Sequence, residues 1–189
     1  QIPLGAGMAF GDKYHERDCV TLCFMGDGAV RQGSLHETLN LAALWKLPVV
    51  FCCINNQYGM GTKIDDAVAV KDFSLRAKSF GLECLHVNHL DAEKAYTDIK
   101  EIVDNTRNNK PSFIEVECYR FYGHARKDKS PYRKEEEEIE NRKLDPIVHA
   151  KNKILLDKLL SEEEIKVIDS QIDKEMDVSM NYAIQSPLN

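Results

Sequence analysis

Two short apolar runs constrain this chain most: Val20 to Met25 (VTLCFM) and Val49 to Ile54 (VVFCCI). Continuous runs of this length, rich in β-branched and aromatic residues, suit strands covered on both faces. Between them Leu35, Leu39, Ala42 and Ala43 recur at helical spacing, with Ser34 as the expected N-cap and Pro48 closing the segment. Strand, helix and strand in immediate succession predict one βαβ unit with a right-handed crossover. Both strands of such a unit point the same way, so whatever follows each of them emerges on the same edge of the sheet.

The rest of the chain extends this pattern. Gly5 to Tyr14 is small and apolar, as in a tightly packed helix. A glycine-punctuated loop runs from Asn55 to Thr62, followed by a polar stretch with no readable period. Ala92 to Thr106 places Ala92, Ala95, Tyr96, Ile99, Ile102 and Val103 on one helical face, with Asp91 as its cap. Ser112 to Tyr119 reads as a strand whose Glu115 and Glu117 face away from their apolar neighbours, and Arg120 to Arg133 as a long loop of the kind that carries function. Glu135 to Glu138 reads as a solvated helix start. Asp145-Pro146 then opens a helix from Ile147 to Leu160. Ser161 with Glu164 forms a capping box for a last helix, striped by Ile165, Ile168, Ile172, Met176 and Met180. The expectation is an α/β fold, a parallel sheet with flanking helices over residues 1–145, trailed by a helical C-terminal extension over 146–189.

Composition narrows the function. With 25 Lys and Arg against 31 Asp and Glu, the 189 residues carry a formal charge of −6 and no global basic footprint for nucleic acid. No apolar run approaches the roughly 20 residues of a membrane span. The six cysteines show no zinc-finger or redox spacing, and Cys52-Cys53 reads as an apolar strand pair. A reducing compartment is expected. His86 and His89 have a metal-like spacing but no evident third ligand. The opening Gln1-Ile2-Pro3 reads as a cut into a longer chain.

The chemistry concentrates where the first two strands should end. Asp27 sits between Gly26 and Gly28 after the first strand, and Asn55-Asn56 follows the second. A carboxylate and an amide oxygen converging there form a sparse, hard donor set suited to Mg²⁺, which takes its remaining ligands from phosphate and water. Gly26 and Gly28 let backbone approach a phosphate, and the following helix start offers amide donors to it. Either piece alone is common turn punctuation. The combination, joined by strand, helix and strand, is far more specific.

Gly26-Asp27-Gly28 followed by Asn56 resembles the signature of thiamine-diphosphate enzymes. The longer stretch GDGAVRQGSLHETLNLAALWKLPVVFCCINNQYGMGT is similar to the alpha subunits of the decarboxylating component of 2-oxoacid dehydrogenase complexes. The likeness continues through Tyr119-Arg120-Phe121-Tyr122-Gly123-His124 to Tyr132-Arg133 and Asp145-Pro146, and Ala43 to Pro48 lies nearer the pyruvate branch than the branched-chain one.

That resemblance implies a thiamine-diphosphate-binding fold and the cofactors thiamine diphosphate and Mg²⁺. Asp27, the Asn56 side chain and the Tyr58 carbonyl would hold the metal. Gly26, Gly28 and Ala29 would lie against the diphosphate. His124 would stand near the diphosphate and the reacting end, as the catalytic residue. The implied activity is oxidative decarboxylation of pyruvate, with acyl transfer to a lipoyl-bearing acyltransferase, leading to acetyl-CoA. It needs a beta subunit that supplies a glutamate, two alpha chains assembling with two beta chains, so this chain alone is expected to be silent. The family's N-terminal third has no counterpart here. Where members often carry Ser-x-Ser-Asp-Pro after the histidine, this chain has Ala125-Arg126-Lys127-Asp128-Lys129, which favours a cytoplasmic, bacterial-type enzyme over a mitochondrial one. Val87 to Asp91 also replaces a more glycine-rich turn. Two alternatives stay open: an acetoin dehydrogenase alpha subunit with the same metal motif, and a noncatalytic scaffold subunit. A nicotinamide site is weaker, since no GxGxxG follows a strand.

Overall fold

The computed structural model describes residues 1–187. Residues Gln1–Lys143 form one compact unit and the described residues from Leu144 a second. The first unit holds helix α1 (Ile2–Tyr14), strand β1 (Thr21–Gly26), helix α2 (Gly33–Trp45) and strand β2 (Val49–Asn55). A small hairpin of β3 (Tyr58–Gly59) and β4 (Thr62–Lys63) follows, then α3 (Ser74–Lys78), β5 (Glu83–Val87), α4 (Ala92–Arg107), β6 (Ser112–Glu117) and α5 (Glu135–Arg142). The sheet runs β1-β2-β6-β5 with every pairing parallel, and β3 pairs β4 antiparallel. The α/β architecture with flanking helices is therefore as the sequence pattern implies.

Apolar residues from both sheet faces explain the layering. Cys23, Met25, Phe51, Cys53 and Phe113 form one cluster with Ile2, Ala6 and Ala9 of α1, Leu35, Leu39 and Ala42 of α2, and Ala77 of α3. On the other face Val50, Cys52, Val87 and Ile114 pack with Ile102 and the neighbouring Ile99 and Val103 of α4. α4 starts where expected, because the Asp91 carboxylate accepts from the backbone N–H groups of Glu93 and Lys94.

Several local expectations are corrected. β2 is buried almost throughout, but β1 is an edge strand with Leu22 47% and Phe24 57% exposed. α1 covers only the face that Cys23 and Met25 share, so apolar continuity in β1 does not mean two covered faces. Helix α2 begins at Gly33 after Gln32, two residues earlier than a Ser34 cap would give. The Ser34 carbonyl instead accepts the Thr38 hydroxyl at 2.6 Å. The helix stops before Pro48, at Lys46 in the left-handed conformation (φ 50). The polar stretch after Thr62 holds β5, whose mixed burial hides its period. Glu115 does point away from Ile114 and Val116, yet it is buried, because α3 and its preceding loop cover that face.

In the second unit α6 (Pro146–Leu156) is capped by Asp145 and ends short of Leu160, and α7 (Glu162–Gln185) opens with the full Ser161–Glu164 capping box. Lys151 and Asp169 join the two helices at 2.7 Å. All six cysteines are free thiols, and no described helix is long and apolar enough to cross a membrane. Burial lifts the Cys52 thiol to about 12, so it behaves as an inert core residue.

The layering gives a contrast to measure. Phe51→Ala, at a fully buried site in β2, should cost about 3–5 kcal/mol in denaturant unfolding of this chain, whereas Phe24→Ala on the open face of β1 should cost under about 1 kcal/mol.

Candidate functional site

Parallel register delivers the loop residues to one edge. Gly26 pairs with Ile54, and Asn55 pairs with Glu117, so Asp27, the Asn55–Tyr58 loop and the chain after β6 leave the sheet side by side. Asp27 is only 5% exposed. Burial pushes its carboxyl up, opposed by the backbone N–H groups of Gly28 and of Asp27 itself and by the Arg31 and Arg120 guanidinium groups. A 3-10 turn (Ala29–Arg31) then leads into α2. Gly28 meets the second loop closely: a Cβ placed on it would lie 3.6 Å from the Gly59 Cα. A Cβ on Gly59 would in turn lie 3.4 Å from Arg31 Nη2. Two bare backbones and a guanidinium thus border Asp27, leaving room that larger side chains would fill.

The loop after β2 is a pair of successive Asx turns. Asn55 Oδ1 accepts from the Gln57 backbone N–H at 3.2 Å and from Gln57 Nε2 at 3.0 Å, and Asn56 Oδ1 accepts from the Tyr58 N–H at 3.2 Å. Gln57 and Met60 are left-handed, at φ 69 and 56. Such non-glycine residues cost on the order of 1–3 kcal/mol and persist only where surrounding contacts hold them. Tyr58 is one such hold. Its buried ring lies under the Arg133 guanidinium, 4.7 Å from the centroid, and its hydroxyl donates to Glu137 Oε1 at 2.8 Å. Burial and that acceptor keep the phenol well above its ordinary range.

A third loop, between β6 and α5, closes the edge. Arg120 Nη2 donates to the Met60 carbonyl at 2.8 Å and to the Tyr132 hydroxyl at 2.9 Å. Tyr132 donates to Asp128 Oδ2 at 2.6 Å, and the His124 and Ser130 backbone N–H groups also donate to the Asp128 carboxylate, each at 2.8 Å. Arg133 Nη1 donates to the Arg120 carbonyl at 2.6 Å. Gly123 is required here, because a Cβ would sit 2.2 Å from the Asp128 carbonyl oxygen. His124 is exposed, with Nδ1 3.5 Å from Arg120 Nη1.

Asp27, Gly28, Asn56 and Tyr58 thus belong to adjoining loops at one sheet edge. Arg120 links them to the loop that carries His124. Ala29 begins the 3-10 turn, and Gly26 is the last residue of β1, with open space where a Cβ would be. Sequence reasoning missed Arg31, Arg120, Asp128 and Arg133. Arg31 stands four residues after Asp27, and the positions of Arg120 and Arg133 at the two ends of the third loop were a usable signal. His86 pairs with Glu117 at 2.8 Å and lies with Glu115 within 4.8 Å, whereas His89 faces Asp98. Both Glu115 oxygens are engaged by other donors, and the two histidines do not share a group.

The donor set fits a divalent cation with a diphosphate: a buried carboxylate, an amide oxygen, a close glycine approach and two guanidinium groups on one edge. Asp128 supplies a test of the third loop. The Tyr132 hydroxyl first, then the Ser130 and His124 amides, pull its carboxyl down to about 2. Because the folded value is depressed, the hold that Asp128 has on the loop is complete above 3.8 and is lost as pH falls toward about 2. Amide NMR shifts of His124 and Ser130 should follow that window. Asp128→Asn should abolish it and speed tryptic cleavage at Arg126, Lys127 or Lys129 severalfold at neutral pH.

The family model "Dehydrogenase E1 component" matches residues 1–189. The pyruvate dehydrogenase E1 component subunit alpha of Rickettsia typhi is 35% identical over 189 residues, covering 100% of this chain and 58% of that protein. Its counterpart in Rhizobium meliloti is 37% identical over 189 residues, 99% of this chain and 54% of the relative. The testis-specific mitochondrial form of Rattus norvegicus is 38% identical over 190 residues, 99% of this chain and 48% of the relative. The chain therefore spans about half the length of these curated relatives. With the family matched from end to end and the three loops joined at one sheet edge, this chain belongs to the dehydrogenase E1 component family.

Proposed function

We propose that this chain provides the metal- and diphosphate-binding side of the active site in the alpha subunit of a thiamine-diphosphate-dependent pyruvate dehydrogenase. One observation carries the reading: Asp27 is buried at the end of β1 while Gly28 meets Gly59 of the loop that carries Asn56 and Tyr58. The names of the relatives above support pyruvate as the 2-oxoacid.

In this reading Asp27, Asn56 Oδ1 and the Tyr58 carbonyl would hold Mg²⁺, an oxygen set that leaves positions for phosphate and water. Gly26, Gly28 and Ala29 present backbone to the diphosphate, and Arg31 and Arg120 add positive charge at its border. Bound thiamine diphosphate would supply the electron sink that decarboxylation of a 2-oxoacid requires. His124 would stand over the reacting end, offering a proton or a hydrogen bond as charge develops, while Asp128 and Gly123 fix its backbone.

A beta subunit would complete the site in an assembly of two alpha and two beta chains, and a lipoyl-bearing acyltransferase would accept the acyl group on the way to acetyl-CoA. Residues 1–145 would form the cofactor domain and 146–189 a helical extension. The bacterial relatives and the absence of a serine directly after His124 support a cytoplasmic, bacterial-type enzyme.

Calorimetric titration of thiamine diphosphate with and without Mg²⁺, on the alpha chain coexpressed with its beta partner, tests this. Binding should require Mg²⁺ and fall by at least about 100-fold in Asp27→Ala and in Asn56→Ala, with folding retained by circular dichroism. A well-assembled wild-type complex that binds no cofactor would sink the proposal.

A further inference from the structure

Glu115 has no part in the chemistry just described, yet it is a carboxylate only 1% exposed in the middle of the sheet. Leaving water costs a carboxylate heavily unless donors replace the solvent. Its register explains which donors do. Glu115 stands opposite Cys53, so Asn55, two residues further along β2, is its diagonal neighbour on the same face. Asn55 Nδ2 donates to Glu115 Oε1 at 2.7 Å, and the Phe73 backbone N–H donates to Oε2 at 3.1 Å.

A carboxylate without its proton only accepts, so Asn55 must turn its NH₂ toward Glu115 and its oxygen toward Gln57. That oxygen receives both the Gln57 N–H and the Gln57 side chain, at 3.2 and 3.0 Å, around a left-handed residue at φ 69. Asn56 and Tyr58 flank this residue on either side. The other oxygen of Glu115 secures Phe73, under the Arg76 guanidinium at 5.1 Å, and Arg76 Nη1 donates to the Val30 carbonyl at 2.8 Å in the turn after Gly28. One buried carboxylate therefore reaches both loops of the candidate site, the Asn55–Tyr58 loop through hydrogen bonds and the turn after Gly28 through a hydrogen bond to Phe73, the Arg76 guanidinium over its ring and the Arg76–Val30 hydrogen bond.

We propose that Glu115 is a positioning residue that, through Asn55, fixes the left-handed turn at Gln57 and so presents Asn56 Oδ1 and the Tyr58 carbonyl to the metal. The metal half of this statement rests on the cofactor reading above. The hydrogen-bond half concerns this chain alone. A glutamine at 115 has one acceptor and one donor group in place of two acceptors. It cannot satisfy Asn55 and Phe73 together unless Asn55 turns over and releases Gln57.

Reversing the polarity of the pair gives the test. Glu115→Gln breaks the chain and Asn55→Asp sets two carboxylates face to face. The double variant rebuilds it: the new glutamine accepts from Phe73 and donates to the new aspartate, whose second oxygen accepts from Gln57. Two readouts are taken on the alpha chain assembled with its beta partner. One is amide hydrogen exchange of residues 54–61 without cofactor. The other is the Mg²⁺ dependence of thiamine diphosphate binding by calorimetry.

Each single variant should speed exchange in the loop and weaken Mg²⁺ by about 10–100-fold, and the double variant should recover both to within about threefold of wild type. Glu117→Gln, at an exposed residue of the same strand, should change neither. Glu115→Gln with wild-type loop exchange and Mg²⁺ affinity, whatever its melting temperature, would overturn the proposal. So would a double variant no better than the singles. Should Glu115→Gln fail to assemble, the double variant decides: assembly with wild-type Mg²⁺ affinity supports the role, and weak affinity or failed assembly overturns it. A wild-type complex without Mg²⁺-dependent binding would instead remove the cofactor reading, and the exchange measurement would still decide the tether.

Discussion

The structure depends on the hydrogen bonding of β2 to parallel partners on both sides. That pairing holds Val49 to Ile54 in register with β1 and Val50 to Asn55 in register with β6. Three chain segments must then turn back over the same sheet edge, because parallel strands end together. The core makes the register costly to change. A slip by one residue would carry Phe51 and Cys53 to the other face and exchange their environment with that of Val50 and Cys52. Placement of Asp27 beside the Asn55–Tyr58 loop is thus set by apolar packing well below it.

The polar edge obeys a different accounting. Asp27, Asn55, Tyr58, Glu115 and Arg133 are all buried there, and each polar atom withdrawn from water needs a substitute. Most find one in a neighbouring segment: Glu115 in Asn55 and Phe73, and Tyr58 in Glu137. Arg133 is the exception. Its Nε and Nη2 have no hydrogen-bond partner, and its guanidinium lies instead over the rings of Tyr58, Tyr119 and Tyr132. Aromatic faces attract a desolvated guanidinium and exclude water around it. The third loop is therefore fastened to the second by a contact that needs no fixed hydrogen-bond direction.

The parts of this arrangement legible in the sequence are those encoded locally. Apolar runs and helical spacing mark β2, α2 and α4, and the caps at Asp91, Asp145 and Ser161 depend on neighbours within three residues. That Asp27 and Asn56 leave the sheet at the same edge was legible because a βαβ unit brings two strand ends together whatever the rest of the chain does. β5 was not, since its mixed burial follows no alternation and is set by the packing of α3 and α4 against it. The open face of β1 escaped notice for the same reason. Apolar content says what a strand can bury, and only its place at the sheet margin says what it does bury. Arg120, Arg133 and Glu115 act across separations of 60 to 75 residues, from Met60 to Arg120, from Tyr58 to Arg133 and from Asn55 to Glu115. No local period records such contacts.

Glu115 shows why these long-range contacts matter more than their number suggests. Strand residues alternate in direction, so its burial was fixed by the register that sets Phe113 in the core. An apolar residue there would pack well and leave the Asn55 amide and the Phe73 N–H without partners in a dry site, at about 1–3 kcal/mol each. A carboxylate satisfies both and imposes a direction on the Asn55 amide that an apolar core cannot. The left-handed backbone at Gln57 is then held, through Asn55, by the sheet beneath it as well as by the loop's own Asx turns. A loop held from below can keep two neighbouring oxygens in fixed relation while its outer surface stays open to whatever it binds.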